Sequence, residues 1–168
     1  MDRQNNAEYN SNMRDASLEY FISKVRCENT KKYITNRVLT QMKWYSSESS
    51  ENKHKYYFWM TVSILLGVMI PVASVFADGA IWVKVLIATL GAAVTACNSY
   101  ISLHNFKDLW FSYRKTREAL LRILYCYFNG AGTFSQSGTQ EEKDALLVKL
   151  CEEELSHETS EWYSLSKK

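Results

Sequence analysis

Histidine and cysteine are the residue types best suited to catalysis or metal binding, and here their spacing argues against both. His54, His104 and His157 stand far apart, as do Cys27, Cys97, Cys126 and Cys151, and no CxxC occurs. A zinc site needs ligands in short paired spacings, and a disulfide framework needs a dense set of cysteines. Cys151 and His157 are nearest in sequence. Six positions turn a helix by about 600°, so they do not share a face. No GxSxG, HExxH, phosphate-loop or dinucleotide fingerprint is present. The chain is therefore expected not to be an enzyme and to need no metal or cofactor.

The spacing that carries information is made of small and polar residues. Lys84, Ala88, Gly91, Thr95, Asn98 and Ser102 follow one another at intervals of four, three, four, three and four. On a helix they form one face. Ser63, Gly67 and Ser74 keep a similar register upstream, with Ile70 between. Small residues let helices approach closely in lipid, and Ser, Thr and Asn can bond across the contact. Two uses follow. The face packs the two helices of one hairpin together, or part of it meets an oligomer axis and lines a pore. Asn98 weighs most, because a buried amide in lipid wants a partner that a ring of amides would supply.

The elements that hold these residues are two apolar segments. Tyr56 to Phe76 has no charge; Ala80 to Leu103 has only Lys84, near its outer end, where its stem can snorkel. Each is long enough, at about 1.5 Å per residue, for a hydrocarbon core of about 30 Å. They fold back at Ala77-Asp78-Gly79. A soluble chain of this length would have too little polar material to wrap two such helices. Arg37, Lys43, Lys53 and Lys55 precede the first segment; Lys107, Arg114, Lys115, Arg117 and Arg122 follow the second. Only Lys84 is on the turn side. That asymmetry places both termini in the cytosol. Trp59, with Tyr56 and Tyr57, and Tyr100 mark the inner membrane edge, and Trp82 the outer one. Pro71, the only proline, should bend the first segment near Gly67, as a fixed kink or as a gating hinge.

The fold class expected is all-α: a two-transmembrane helical hairpin, residues 56–76 and 80–103, whose helices extend into a cytosolic helical bundle. Residues 1–12 are Asn-rich and read as disordered. Apolar residues recur at helical spacing over 13–55, with a weak spot at Cys27 to Thr30, and Ser46 to Asn52 reads as helix. The second membrane helix is expected to run on without a break over 104–129. Gly130 to Gly138 reads as a loop. Thr139 and Glu142 have capping-box spacing, opening a last helix over 139–163 with a frayed tail from Ser164. The polar N-terminus has no apolar run, so no cleavable signal peptide is expected. A net charge of +2, with no long basic block, gives no reason to expect direct nucleic-acid binding.

The run Trp110-Phe111-Ser112-Tyr113-Arg114-Lys115-Thr116-Arg117-Glu118-Ala119-Leu120 resembles the W-x-x-YR-x-T-x-E-x-L segment that follows the second membrane helix in the SLATT family, the SMODS- and SLOG-associating two-transmembrane effectors. Asn36-Arg37-Val38 before Trp44-Tyr45, Phe128-Asn129-Gly130 with Phe134, and the late Glu154, Glu158 and Trp162 also match. The likeness covers residues 20 to 163. It implies a bacterial inner-membrane effector of conflict or antiphage defence that oligomerises and perforates the membrane. A separate cytosolic sensor, of a nucleotide-signal or reverse-transcriptase system, would trigger it. The other reading is a membrane-anchored scaffold with no pore. Arg114, Arg117 and Glu118 lie within helical reach of one another. Opposite an acidic last helix (Glu152, Glu154, Glu158, Glu161) they form either a clamp that holds the hairpin shut or ordinary surface pairs.

Overall fold

A computed structural model describes residues 17–76 and 81–166, with side chains up to His157. Residues 1–12, the turn Ala77-Asp78-Gly79, and the side chains of Glu158, Glu161 and Trp162 lie outside the described residues. Among those described there is no strand. Helix α1 covers residues 17–23, and α2 is Glu28–Tyr33. A π-helical stretch, Ile34–Val38, leads into α3, Leu39–Ser74. Then come α4, Ile81–His104, α5, Phe106–Asn129, a 3-10 turn, Gly132–Gln136, and α6, Gln140–Ser166. The fold is all-α, and among the described residues two helices are long and apolar enough to cross a membrane. It divides into two compact units. Tyr45–Lys115 is one, and the chain up to Trp44 with the chain from Thr116 is the other.

The Tyr45–Lys115 unit is an antiparallel hairpin. Tyr45 meets Tyr113 with ring centroids 5.9 Å apart, and the Ser49 hydroxyl donates to the Trp110 carbonyl at 3.3 Å. Trp59 meets Tyr100 at 5.0 Å, and Ser63 reaches Asn98 at 3.0 Å. Rising numbers on α3 meet falling numbers on α4 and α5. The inward row of α3 is Tyr45, Ser49, Asn52, Tyr56, Trp59, Ser63, Leu66, Ile70 and Ala73, all buried or half-buried. Its alternating four and three spacing is the 3.5-residue period that keeps one seam against a partner helix. Ser46 to Asn52 lies inside α3, and the buried Asn52 donates to the Glu48 carbonyl at 2.8 Å. The helix continues through Pro71, which has no N–H to give the Gly67 carbonyl.

The second helix is not continuous, contrary to expectation. Asn105 takes the left-handed conformation, φ 47°, and separates α4 from α5. Asn is one of the few residues that visits this region without a large penalty, since its short side chain bonds locally. The Asn105 carbonyl then accepts from the Asp108 and Leu109 amides at 3.0 and 3.1 Å, so α5 starts as a new helix. Asp108 in its first turn suits the helix dipole. Neither Gly nor Pro marks this break in the sequence, which is why periodicity ran over it.

In the other unit, Leu18 and Ile22 of α1, Ile34, Val38, Leu120, Leu124, Leu147 and Cys151 form the core. Phe21 stacks on Phe128 at 5.4 Å. Residues 25–27 interrupt the helix before α2, at the weak spot the sequence marked. The buried Thr30, Ile34, Val38 and Met42 are each four residues apart. An α-helix turns about 100° per residue, so each such step would drift by about 40°. The wider π turn takes an extra residue and absorbs that drift, which keeps the row on the core. Helix α5 ends in a Schellman motif. The Gly130 amide bonds the Tyr127 carbonyl at 3.2 Å and the Ala131 amide the Cys126 carbonyl at 2.9 Å. Gly130 has φ 59°, a conformation that favours glycine. The stretch read as a loop contains the 3-10 turn, which drives Phe134 into the core at 1% exposure. The capping box of α6 forms: Glu142 N–H donates to Thr139 Oγ1 at 3.2 Å, and Thr139 and Gly138 amides donate to Glu142 Oε2 at 3.2 and 2.9 Å. The helix runs to Ser166, through most of the tail expected to fray. Phe134→Ala removes the plug of this core and should cost about 3–5 kcal/mol. Thermal unfolding followed by circular dichroism checks it.

Candidate functional site

The small and polar face of α4 is not the face that closes the hairpin. Val83, Ile87, Leu90, Val94, Cys97 and Ile101 are the inward row, with Val83 and Cys97 buried. Lys84, Ala88, Thr95, Asn98 and Ser102 are exposed, and Gly91 is half-buried. The two rows have the same spacing and lie one residue, about 100°, apart. A Cβ added at Gly67 or Gly91 would meet no atom within 4 Å, so neither glycine serves a close approach inside the chain. Sequence reasoning chose the row by residue size. In lipid, size alone does not tell an intrachain contact from a free face.

One bond ties the small and polar face to α3. Ser63, 6% exposed, donates to Asn98 Oδ1 at 3.0 Å. The Asn98 amide nitrogen has no partner among the described residues. Thr95 is satisfied within its helix, donating to the Gly91 carbonyl at 3.0 Å. The outward surface of the hairpin is apolar. Ile64, Leu65, Val68, Met69, Val72, Val85 and Leu86 are 44–61% exposed. Burying such a surface needs either lipid or protein around it. Of the edge residues, Trp59 is half-buried against Tyr100, Tyr100 contacts His104 at 4.4 Å, and Trp82 is 71% exposed. Pro71 is exposed.

Of the residues of the expected clamp, Arg117 pairs with its neighbour Glu118 at 3.0 Å, and Arg114 forms no ion pair with Glu118 among the described residues. On the acidic helix, Glu152 is bound by Arg37. Its Nε and Nη2 donate to the two Glu152 oxygens at 3.2 Å each, and the Tyr33 hydroxyl donates to Glu152 Oε1 at 2.9 Å. About two turns before, Thr30 Oγ1 donates to Asp144 Oδ2 at 2.7 Å, while Tyr127 and Gln140 donate to Asp144 Oδ1 at 2.6 and 2.8 Å. Two carboxylates on α6 thus hold α2 and the π turn. Thr30, Tyr33 and Arg37 share a helix face by their three and four spacing. That was visible in the sequence, but nothing there selected Asp144 and Glu152 from among the acids of α6. Glu154 is half-buried beside a groove of about 550 Å³ shared with Arg122 and Phe134.

These contacts set the acid–base behaviour. The Arg37 bonds lower the Glu152 carboxyl, with Tyr33 adding to them against partial burial. Burial would raise Asp144, but the hydrogen bonds from Tyr127, Thr30 and Gln140 outweigh it and leave it lowered. Burial, and then the carboxylates they serve, raise Tyr33 and Tyr127. Burial and the nearby Glu152 charge push Cys151 up to about 12, so it is an inert core thiol. Among the described residues no three His, Cys, Asp or Glu side chains come together as metal ligands.

The sequence profile of a family described as "protein of unknown function (DUF4231)" matches residues 40–142, which include both long apolar helices and the α5 run. The chain belongs to the DUF4231 family. No curated protein and no solved structure matches it. The matched stretch of this DUF4231 protein holds Asn98, Gly91 and Ser63, and leaves Arg37 and Glu152 outside.

Both carboxylates are lowered in the folded state, so their contribution is complete above about pH 4 and is lost as pH falls through that range. The melting temperature of the detergent-solubilised protein should therefore hold steady down to about pH 4 and fall as the pH is lowered further. At neutral pH, Glu152→Gln should cost under about 1 kcal/mol, since the Arg37 pair is half exposed. That is about 2–4 °C in the melting temperature. The variant should also show a smaller acid-induced drop than the wild type.

Proposed function

We propose that this protein is a bacterial inner-membrane effector of a conflict or antiphage defence system. Its hairpin crosses the membrane with both termini in the cytosol. Copies assemble along the small and polar face of α4 and permeabilise the membrane when a separate cytosolic sensor is triggered. The observation that carries this reading is that face itself, left uncovered by α3, with the Asn98 amide donors unpartnered on it. In hydrocarbon an unpaired amide is costly, and a second copy with the same face supplies acceptors and a close approach at Gly91. The resemblance to SLATT effectors around Trp110 to Leu120 supports the defence role, and membership of DUF4231 supports a family trait in the hairpin. The alternative is a membrane-anchored scaffold. It is favoured by the hairpin's own seam, which is complete within one chain from Val83 to Ile101.

Induced expression, alone and with the genomic neighbours, while membrane potential is followed, separates the two. The pore reading expects depolarisation that is lost in Asn98→Leu and Gly91→Leu variants that still insert. Gly91→Ala is the internal control. With nothing within 4 Å of its Cβ it should fold as well as the wild type or better, by up to about 1 kcal/mol of helix propensity. An unchanged potential under every trigger, with wild type and variants alike, would favour the scaffold.

A further inference from the structure

The hairpin carries a second uncovered feature, at the end of its apolar span rather than along it. Tyr57 and Phe111 are each 52% exposed. Trp110 stacks on Phe111 at 4.6 Å and meets Tyr57 at 6.1 Å. The Lys53 ammonium lies 5.6 Å from the centre of the Trp110 ring. On α5, Lys107 precedes Trp110 by three residues and Phe111 by four, which puts it on their face. On α3, Lys53 precedes Tyr57 by four. Neither Lys53 nor Lys107 has a carboxylate partner among the described residues, whereas Lys55 is taken by Glu51 at 2.6 Å.

We propose that Lys53, Tyr57, Lys107, Trp110 and Phe111 form a docking surface for the headgroup phosphate of an anionic membrane lipid. This rests on the membrane reading above. Tyr57 belongs to the uncharged run that starts at Tyr56, and Lys53 lies one turn before it, so the patch straddles the edge of the span. Amphipathic rings settle at headgroup depth, with their apolar bodies toward the acyl chains. An ammonium beside them is a compact donor for phosphate oxygens. Two ammonium groups without counter-charges select an anionic lipid, because a zwitterionic headgroup brings its own cation. Each basic residue near an anionic surface contributes about a fivefold gain in binding.

Native mass spectrometry of the detergent-purified protein with equimolar phosphatidylglycerol and phosphatidylcholine tests this. Phosphatidylglycerol should be retained in preference. Lys53→Gln and Lys107→Gln should each lower its retention about fivefold, and the double variant should abolish the preference. Lys55→Gln, whose lysine already has Glu51, should behave as wild type. Equal retention of the two lipids, or a preference that survives the double variant, would overturn the proposal. So would displacement by millimolar inorganic phosphate, which marks a free-phosphate site. A carbonate wash of membranes separates the two levels. A protein that stays in the membrane but lacks the lipid preference defeats this inference alone. Release into the wash defeats the membrane reading and this inference with it.

Discussion

One row of side chains along α3 organises the hairpin. From Tyr45 to Ala73 it alternates steps of four and three, and every residue that meets it from α4 and α5 does so in one antiparallel register. Because α3 is a single helix of 36 residues, that register cannot slip in one place without slipping everywhere. The break at Asn105 falls where the partner side changes helix. The register holds on both sides of it, with Tyr100 meeting Trp59 before the break and Tyr113 meeting Tyr45 after it. The left-handed residue thus restarts the helix without losing the pairing.

The other unit solves a different problem with different chemistry. The buried row Thr30, Ile34, Val38 and Met42 has three successive steps of four, which would drift by about 120° on a regular helix. The π turn Ile34–Val38 corrects the phase, and the two α6 carboxylates hold that turn and the one before it through Thr30, Tyr33 and Arg37. The lowered Asp144 and Glu152 follow from those bonds rather than from burial, which acts against them. Polar contacts and the buried row therefore hold the same irregular turn.

For the proposed effector role, the consequence lies in what these contacts leave over. The apolar seam of the hairpin is satisfied by one chain, so oligomerisation is not required for it to form. The adjacent face is open, carries Asn98 with unspent donors, and lacks a Cβ at Gly91. A helix that closes its own hairpin with one face keeps the neighbouring face available to other copies. That division suits an assembly formed on demand better than a permanent one.

The sequence by itself determined the main helices and one of their caps. Segment length and apolarity gave the two long helices, Thr139 and Glu142 gave the α6 cap, and the weak spot at Cys27 gave the first break, because each is a local property of a few residues. The family match, over residues 40–142, takes in both long helices. Three things belonged to the tertiary structure alone. Two rows on α4 shared one spacing, and only packing against α3 chose Val83 to Ile101 over Lys84 to Ser102. Several acids on α6 were equivalent in pattern, and only the docking of α2 chose Asp144 and Glu152. Asn105 was one asparagine among many, and only its backbone showed a break. On α6 the decision came from contacts between residues 114 to 119 positions apart, on α4 from burial against α3, and at Asn105 from a left-handed backbone whose carbonyl starts the next helix.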